Sequence, residues 1–217
     1  MICFAVVEKA LEELDWVIER GARCILVRPA PVPGYRGSRS PGLPEFDPIW
    51  KRIVDADLLV GMHASDSGYN SLIKRWDNTP EFLPFKLDAF RQIAQGKRPI
   101  EDTMTALVCH GALTRFPQLK IAAVENGANW VGHLLHEFAD VYRKMPQLFP
   151  EDPVVAFKRN IYVNPFWEYD IRVLIYLVGA DHILFGSDYP HPEGLADPAS
   201  YIHELADVAP EDQAKIM

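Results

Sequence analysis

Five short apolar runs, each ending on or running into a polar residue and separated from the next by helical periodicity, constrain this chain more than any other feature. They occupy residues 24–28, 58–62, 120–124, 161–163 and 183–185, and their polar ends are Arg28, His63, Glu125, Asn164 and Asp188. Helical spacing fills the gaps. Val7, Leu11, Leu14, Val17 and Ile18 recur over residues 8–20, with Gly21 as the stop. Residues 49–56 form a short predicted helix, and others run over Leu87, Phe90, Ile93 and Ala94, over Trp130, Leu134, Phe138, Val141 and Tyr142, and over residues 171–178. Residues 103–116 fit a strand at 105–109, but Met104, Leu107, Val108 and Ala112 share one helical face, and helix is the expectation. Strands that are apolar on both faces, with helices between them, predict a parallel sheet covered on both sides.

Two architectures satisfy that pattern, a barrel of eight βα units and an open doubly wound sheet. Neither GxGxxG nor GxxxxGK[ST] occurs, so a nucleotide-binding open sheet lacks its phosphate loop. In a barrel the five polar ends share one rim, the place where such folds carry catalytic groups. The loops after the strands are shaped: the chain has 18 prolines against 13 glycines, crowded into residues 29–48 and into Tyr189-Pro-His-Pro192. Residues 65–84 read as a second irregular excursion, and both long loops are expected to wall a pocket.

A formal charge of −8 without any Lys/Arg run argues against nucleic acid as the main partner. The apolar stretches are too short for a bilayer, and residues 1–7 run straight into Glu8 without a basic segment or cleavage site, so neither a membrane nor a secretory signal is expected. The expectation is a cytoplasmic, single-domain chain acting on a small-molecule substrate. Cys3, Cys24 and Cys109 are odd in number and widely spaced, which predicts buried free thiols rather than disulfides or a zinc knuckle.

His63, Glu125 and Asp188 bring one imidazole and two carboxylates from three strand ends, a donor set that suits a divalent cation, zinc first and manganese or iron as well. Each also has an ordinary explanation: a histidine after a strand is commonly a hydrogen-bonded loop residue, and Asp in Gly-Ser-Asp commonly a turn or cap. Of the other histidines, His133 and His136 share a helix face, His110 points away from the rim if its segment is helical, and His182 and His203 read as structural.

The stretch Ile183-Leu-Phe-Gly-Ser-Asp-Tyr-Pro-His-Pro-Glu-Gly194 resembles the last barrel strand of the amidohydrolase-related (amidohydrolase family 2) metal-dependent family, whose members include aminocarboxymuconate semialdehyde and aromatic-acid decarboxylases. Phe116-Pro-Gln-Leu-Lys-Ile121 with Glu125-Asn-Gly-Ala-Asn-Trp130 is similar to its sixth strand, and residues 58–65 to its fifth. The resemblance implies an α/β fold of the TIM-type (β/α)8 barrel, with about strands 4 to 8 present, and one divalent metal ion. It makes His63 and Asp188 metal ligands, with Asp188 also accepting a proton from activated water. Glu125 takes the place of a catalytic histidine as base or ligand. Arg28, Asn164, Trp167 and His191 are candidate substrate contacts. The family's first strand ends in His-x-His, and this chain has none. The implied activity is metal-dependent hydrolysis or decarboxylation. The alternatives are a catalytically inactive barrel fragment, whose open strand edges would drive association into homo-oligomers, and a plain nucleotide-binding domain.

Overall fold

Four of the five apolar runs form strands: β1 (Cys24–Val27), β2 (Leu59–His63), β3 (Lys120–Val124) and β4 (Ile161–Val163). The structure is a computed structural model and describes residues 1–65, 67–77, 89–165, 170–191 and 194–217. All four strands are parallel, in the order β1-β2-β3-β4. The fifth run is a correction to the expected count. Ile183 lies beside β4 through one parallel bridge to Val163, and Phe185 N–H already donates to Ile216 O, so its backbone leaves the ladder after a single rung.

The helices are α1 (Val7–Ile18), α2 (Asp47–Asp55), α3 (Asn70–Asp77), α4 (Ala89–Gln95), α5 (Arg98–Cys109), α6 (Ala112–Arg115), α7 (Asn129–Lys144), α8 (Pro153–Asn160), α9 (Ile171–Val178) and α10 (Pro210–Ile216). The 103–116 segment is helical as its apolar face predicts, except that a turn at His110 and left-handed Gly111 divides it into the end of α5 and α6. Two helices depart from the sequence reading. α3 lies inside the excursion read as irregular, and α8 arises where no element is expected, started by the Asp152 carboxylate accepting from the N–H groups of Val154 and Val155. None of the helices among the described residues is long and apolar enough to cross a membrane.

The strand faces alternate with period two. Ile25, Val27, Val60, Met62, Ile121, Ala123, Ile161 and Val163 are buried and join one core with Trp50, Met104, Leu107, Trp130, Leu134 and Phe157 from the helices. The opposite face is buried at its centre, at Gly61 and Ala122, but is not covered throughout as predicted. Leu26 is 44% exposed, Cys24 and His63 are exposed, and Leu59, Lys120, Val124 and Tyr162 are half-buried. Cys24 is therefore no buried thiol, because it stands on the outward half of the β1 alternation, and Cys3 and Cys109 are exposed free cysteines as well.

The register carries the rim. Val27 pairs with Met62, Met62 with Ala123, Ala123 with Val163, and Val163 bridges Ile183. Consequently the residues beyond those positions, Arg28, His63, Val124 and Asn164, leave the sheet at one level.

Candidate metal centre

His63 is the last residue of β2, and its ring is fixed at both nitrogens. Nδ1 lies 2.8 Å from the Ala64 carbonyl oxygen, so it carries a proton, and Nε2 lies 2.7 Å from Glu125 Oε2. Glu125, 19% exposed, follows β3 with a left-handed φ of 57°, which ends the strand and turns the side chain toward His63.

Asp188 sits in the turn after the Ile183 bridge, also left-handed at φ 55°, with its side chain 15% exposed. Two close approaches shape that turn. A Cβ on Gly186 would stand 2.6 Å from Asn164 Nδ2, and one on Gly194 would stand 2.5 Å from Asp188 O, so only glycine lets the loop pack onto β4 and fold back over Asp188. The loop is held by His191 N–H to Asp188 O (2.8 Å) and Leu195 N–H to Ser187 O (2.8 Å). Within it Asp188 Oδ2 is buried without a hydrogen-bond partner, and His191 Nδ1 lies 3.9 Å away, too far to bond it. One ligand atom each from Glu125, Asp188 and His191 falls within a 4.8 Å span of the others. With ligand distances of about 2.0–2.2 Å from a cation to N or O donors, that span accommodates a single divalent ion. The orphaned Oδ2, the two carboxylates and the nearby imidazoles fit such an ion.

The remaining sequence candidates divide. His191, read as a substrate contact, enters the ligand cluster itself, 55% exposed on its outer side. Arg28 follows β1 at the same end of the sheet and is exposed. Asn164 is 6% exposed; its backbone N–H donates to Ala123 O and its Nδ2 to Leu184 O, so in this structure it ties β4 to the run leading into Asp188. Trp167 lies outside the described residues. His110 does not simply face away: it bonds Ser40 Oγ at 2.7 Å and pins the end of α5 to the loop after β1. His133 bonds Glu101 of α5, and His182 bonds Ile161 O while stacking on Tyr162 at the opposite end of β4.

The predicted loop walls do meet. Residues after β1 and β2 face α5 across a cavity of about 300 Å³ lined by Pro31, Arg39, Ser40, Tyr69, Asp102 and Thr103, among others. Tyr69 donates to Asp102 at 2.8 Å, and burial followed by that carboxylate pushes its phenol well above the ordinary range. One functional neighbour escaped sequence reasoning: Asn126, whose Nδ2 donates to Val124 O (2.6 Å) and Met62 O (3.0 Å). In sequence it is half of an Asn-Gly pair, an ordinary turn signal.

The family model of the Amidohydro_2 amidohydrolases matches residues 2–217. The chain belongs to that family. Among solved structures it is similar to an amidohydrolase from Mycobacterium avium subsp. paratuberculosis K-10, with 41% identity and a TM-score of 0.92 over 100% of this chain and 54% of that one. It is also similar to 2,6-dihydroxybenzoate decarboxylase from Rhizobium (23% identity, TM-score 0.70, 97% of this chain and 64% of that one). A third is a dihydroxybenzoic acid decarboxylase from Polaromonas sp. JS666 with bound manganese and the inhibitor 2-nitroresorcinol (21%, 0.68, 97% and 63%). At these identities the two decarboxylases speak to the fold alone. This amidohydrolase-family chain spans about half the length of the Mycobacterium protein it matches.

Proposed function

We propose that the chain carries the metal-binding rim of a hydrolase or decarboxylase that acts on a small, carboxylated or acyl-bearing molecule, with β1 to β4 and the Ile183 run standing as strands 4 to 8 of a (β/α)8 barrel. The observation that carries the reading is the buried, unpartnered Asp188 Oδ2 inside the Glu125–Asp188–His191 cluster, with His63 2.7 Å from Glu125. Asp188, Glu125 and His191 would hold one divalent cation, and His63 would join them through Nε2. Zinc and manganese both accept this mixture of N and O donors. The chemistry that such an ion supplies when bound is acidification of water and polarisation of a substrate oxygen.

The chain's own residues do the rest. Glu125, whose Oε2 lies 2.7 Å from His63 Nε2, supplies a carboxylate that can accept a proton and return it to a leaving group or a carbon atom. Asp188, held in place by its turn, is positioned to accept one. Arg28 supplies a guanidinium that can take a substrate carboxylate in a two-pronged bond. We assign the chain to the cytoplasm, with possible partners limited to substrate and to further copies of itself.

The test is titration with zinc or manganese followed by product analysis in ¹⁸O-labelled water. Label in the product assigns hydrolysis, and CO2 release without label assigns a carboxy-lyase. Metal uptake without either product favours a binding-competent but catalytically inactive barrel portion. Absence of metal uptake overturns the proposal.

A further inference from the structure

We infer that Asn126 is a positioning residue of the candidate metal centre, an amide clamp that joins the ends of β2 and β3 and sets the separation of His63 and Glu125. The inference rests on the metal-centre reading above.

Both of its amide hydrogens are used. Nδ2 donates to Val124 O at 2.6 Å and to Met62 O at 3.0 Å, the carbonyls of the residues that immediately precede Glu125 and His63. A turn-forming asparagine bonds its own neighbours, whereas the Met62 bond crosses to another strand 64 positions away. The backbone ladder reaches these carbonyls only at its last register pair, His63 with Val124. Glu125 enters the left-handed region and ends β3, and the β2–β3 backbone bonding closes with Ala64 N–H to Val124 O at 3.2 Å. The side chain of Asn126 adds its own bonds to the two carbonyls at the ladder's end. Since one nitrogen grips both carbonyls, a shift of either strand end breaks one bond, and the Nε2–Oε2 contact of 2.7 Å is fixed between them.

Residues that orient ligands from behind typically change metal affinity about 10- to 100-fold when removed. The experiment compares the parent chain with Asn126→Ala, Asn126→Asp and Asn126→Gln. Asp keeps the shape but, ionised, has no hydrogen to donate, and Gln keeps the donor on a longer arm. Dissociation constants for zinc and manganese come from competition with a chromophoric chelator. Asn160→Ala serves as the structural control, because Asn160 donates to the carbonyls of Phe116, Pro117 and Leu119 at the opposite end of β3.

The expected result is a 10- to 100-fold weaker metal affinity in the Ala and Asp variants, a smaller loss in Gln, and parental affinity in Asn160→Ala despite its lower melting temperature. A crystal structure of metal-free Asn126→Ala is expected to show His63 and Glu125 beyond hydrogen-bond reach with the β2–β3 register unchanged. Parental affinity in Asn126→Ala, or an unchanged contact in that crystal structure, overturns the inference. If the parent itself takes up neither metal, the metal reading fails, and the crystallographic separation alone decides the role of Asn126.

Discussion

Glu125 and Asp188 both stand in left-handed backbone, at φ 57° and 55°, where a side chain crowds its own carbonyl and each non-glycine residue costs about 1–2 kcal/mol. Left-handed geometry alone does not mark function, since Asp57 adopts it in the turn before β2 and merely pairs with Lys120. What sets the other two apart is that their carboxylates converge. Glu125→Gly should therefore recover about 1 kcal/mol relative to Glu125→Gln, because both lose the carboxylate but only glycine relieves the backbone. Urea unfolding of the two metal-free variants reads the difference. For Asp188 the buried, unpartnered oxygen opposes folding until something positive meets it. Asp188→Asn is expected to leave metal-free stability at or above the parent's, by up to about 1 kcal/mol. It should also abolish the rise in melting temperature, about 5–10 °C for a chain of this size, that metal at 100 times its dissociation constant gives the parent. A parental metal-induced shift in Asp188→Asn would remove Asp188 from the ligand set.

At the scale of elements, α8 is anchored by one ion pair. Arg159 donates through Nη1 and Nη2 to the two oxygens of Glu151 at 2.8 and 2.9 Å and also holds Leu113 O. Hydrogen bonding from Arg159, outweighing burial, holds the Glu151 carboxyl below its ordinary range. The folded chain thus binds fewer protons here than the unfolded one. The stabilisation is complete above the ordinary carboxylate value and is lost as pH falls through the lowered folded value. Glu151→Gln should cost about 1 kcal/mol at pH 7, with the gap from the parent closing as pH drops below that range. Chemical denaturation at several pH values measures it, and a gap independent of pH would refute the ionic origin. This same element was illegible in the sequence. α8 is short, its start lies in a Pro-rich stretch, and only the Asp152 cap announces it. The strands were legible because β-branched and aliphatic residues in runs of 3–5 have few other uses. Ile183 to Phe185 look the same, yet pair through one bridge, because pairing depends on the neighbour's backbone rather than on composition. At the site, His63, Glu125 and Asp188 were legible from their place after strands. His191 was legible only as a substrate contact, since its entry into the ligand cluster depends on the fold-back of Gly194, and Asn126 was hidden by the innocence of an Asn-Gly pair.

For the whole molecule, the decisive asymmetry is a sheet buried along one face and only at its centre on the other. Leu26, 44% exposed, reaches over Gly61, where a Cβ would stand 2.9 Å from its Cδ2. Exposed apolar surface of this kind promotes association. The chain is expected to self-associate with rising concentration in light scattering, and Leu26→Lys to reduce that association without altering metal affinity. Equal scattering by parent and variant would place the contact elsewhere. The all-parallel register has a further effect, one of timing. Every rung joins segments separated by at least one helix, so no short stretch of the chain can assemble any part of the rim by itself, and folds with such distant contacts form slowly. Glu125 and Asp188 come together only after the segment between them, with α7, α8, β4 and α9, has been made and packed. If the rim binds metal as proposed, metal capture is a late event on the folding pathway, and a refolding chain should regain its helices well before it takes up the ion.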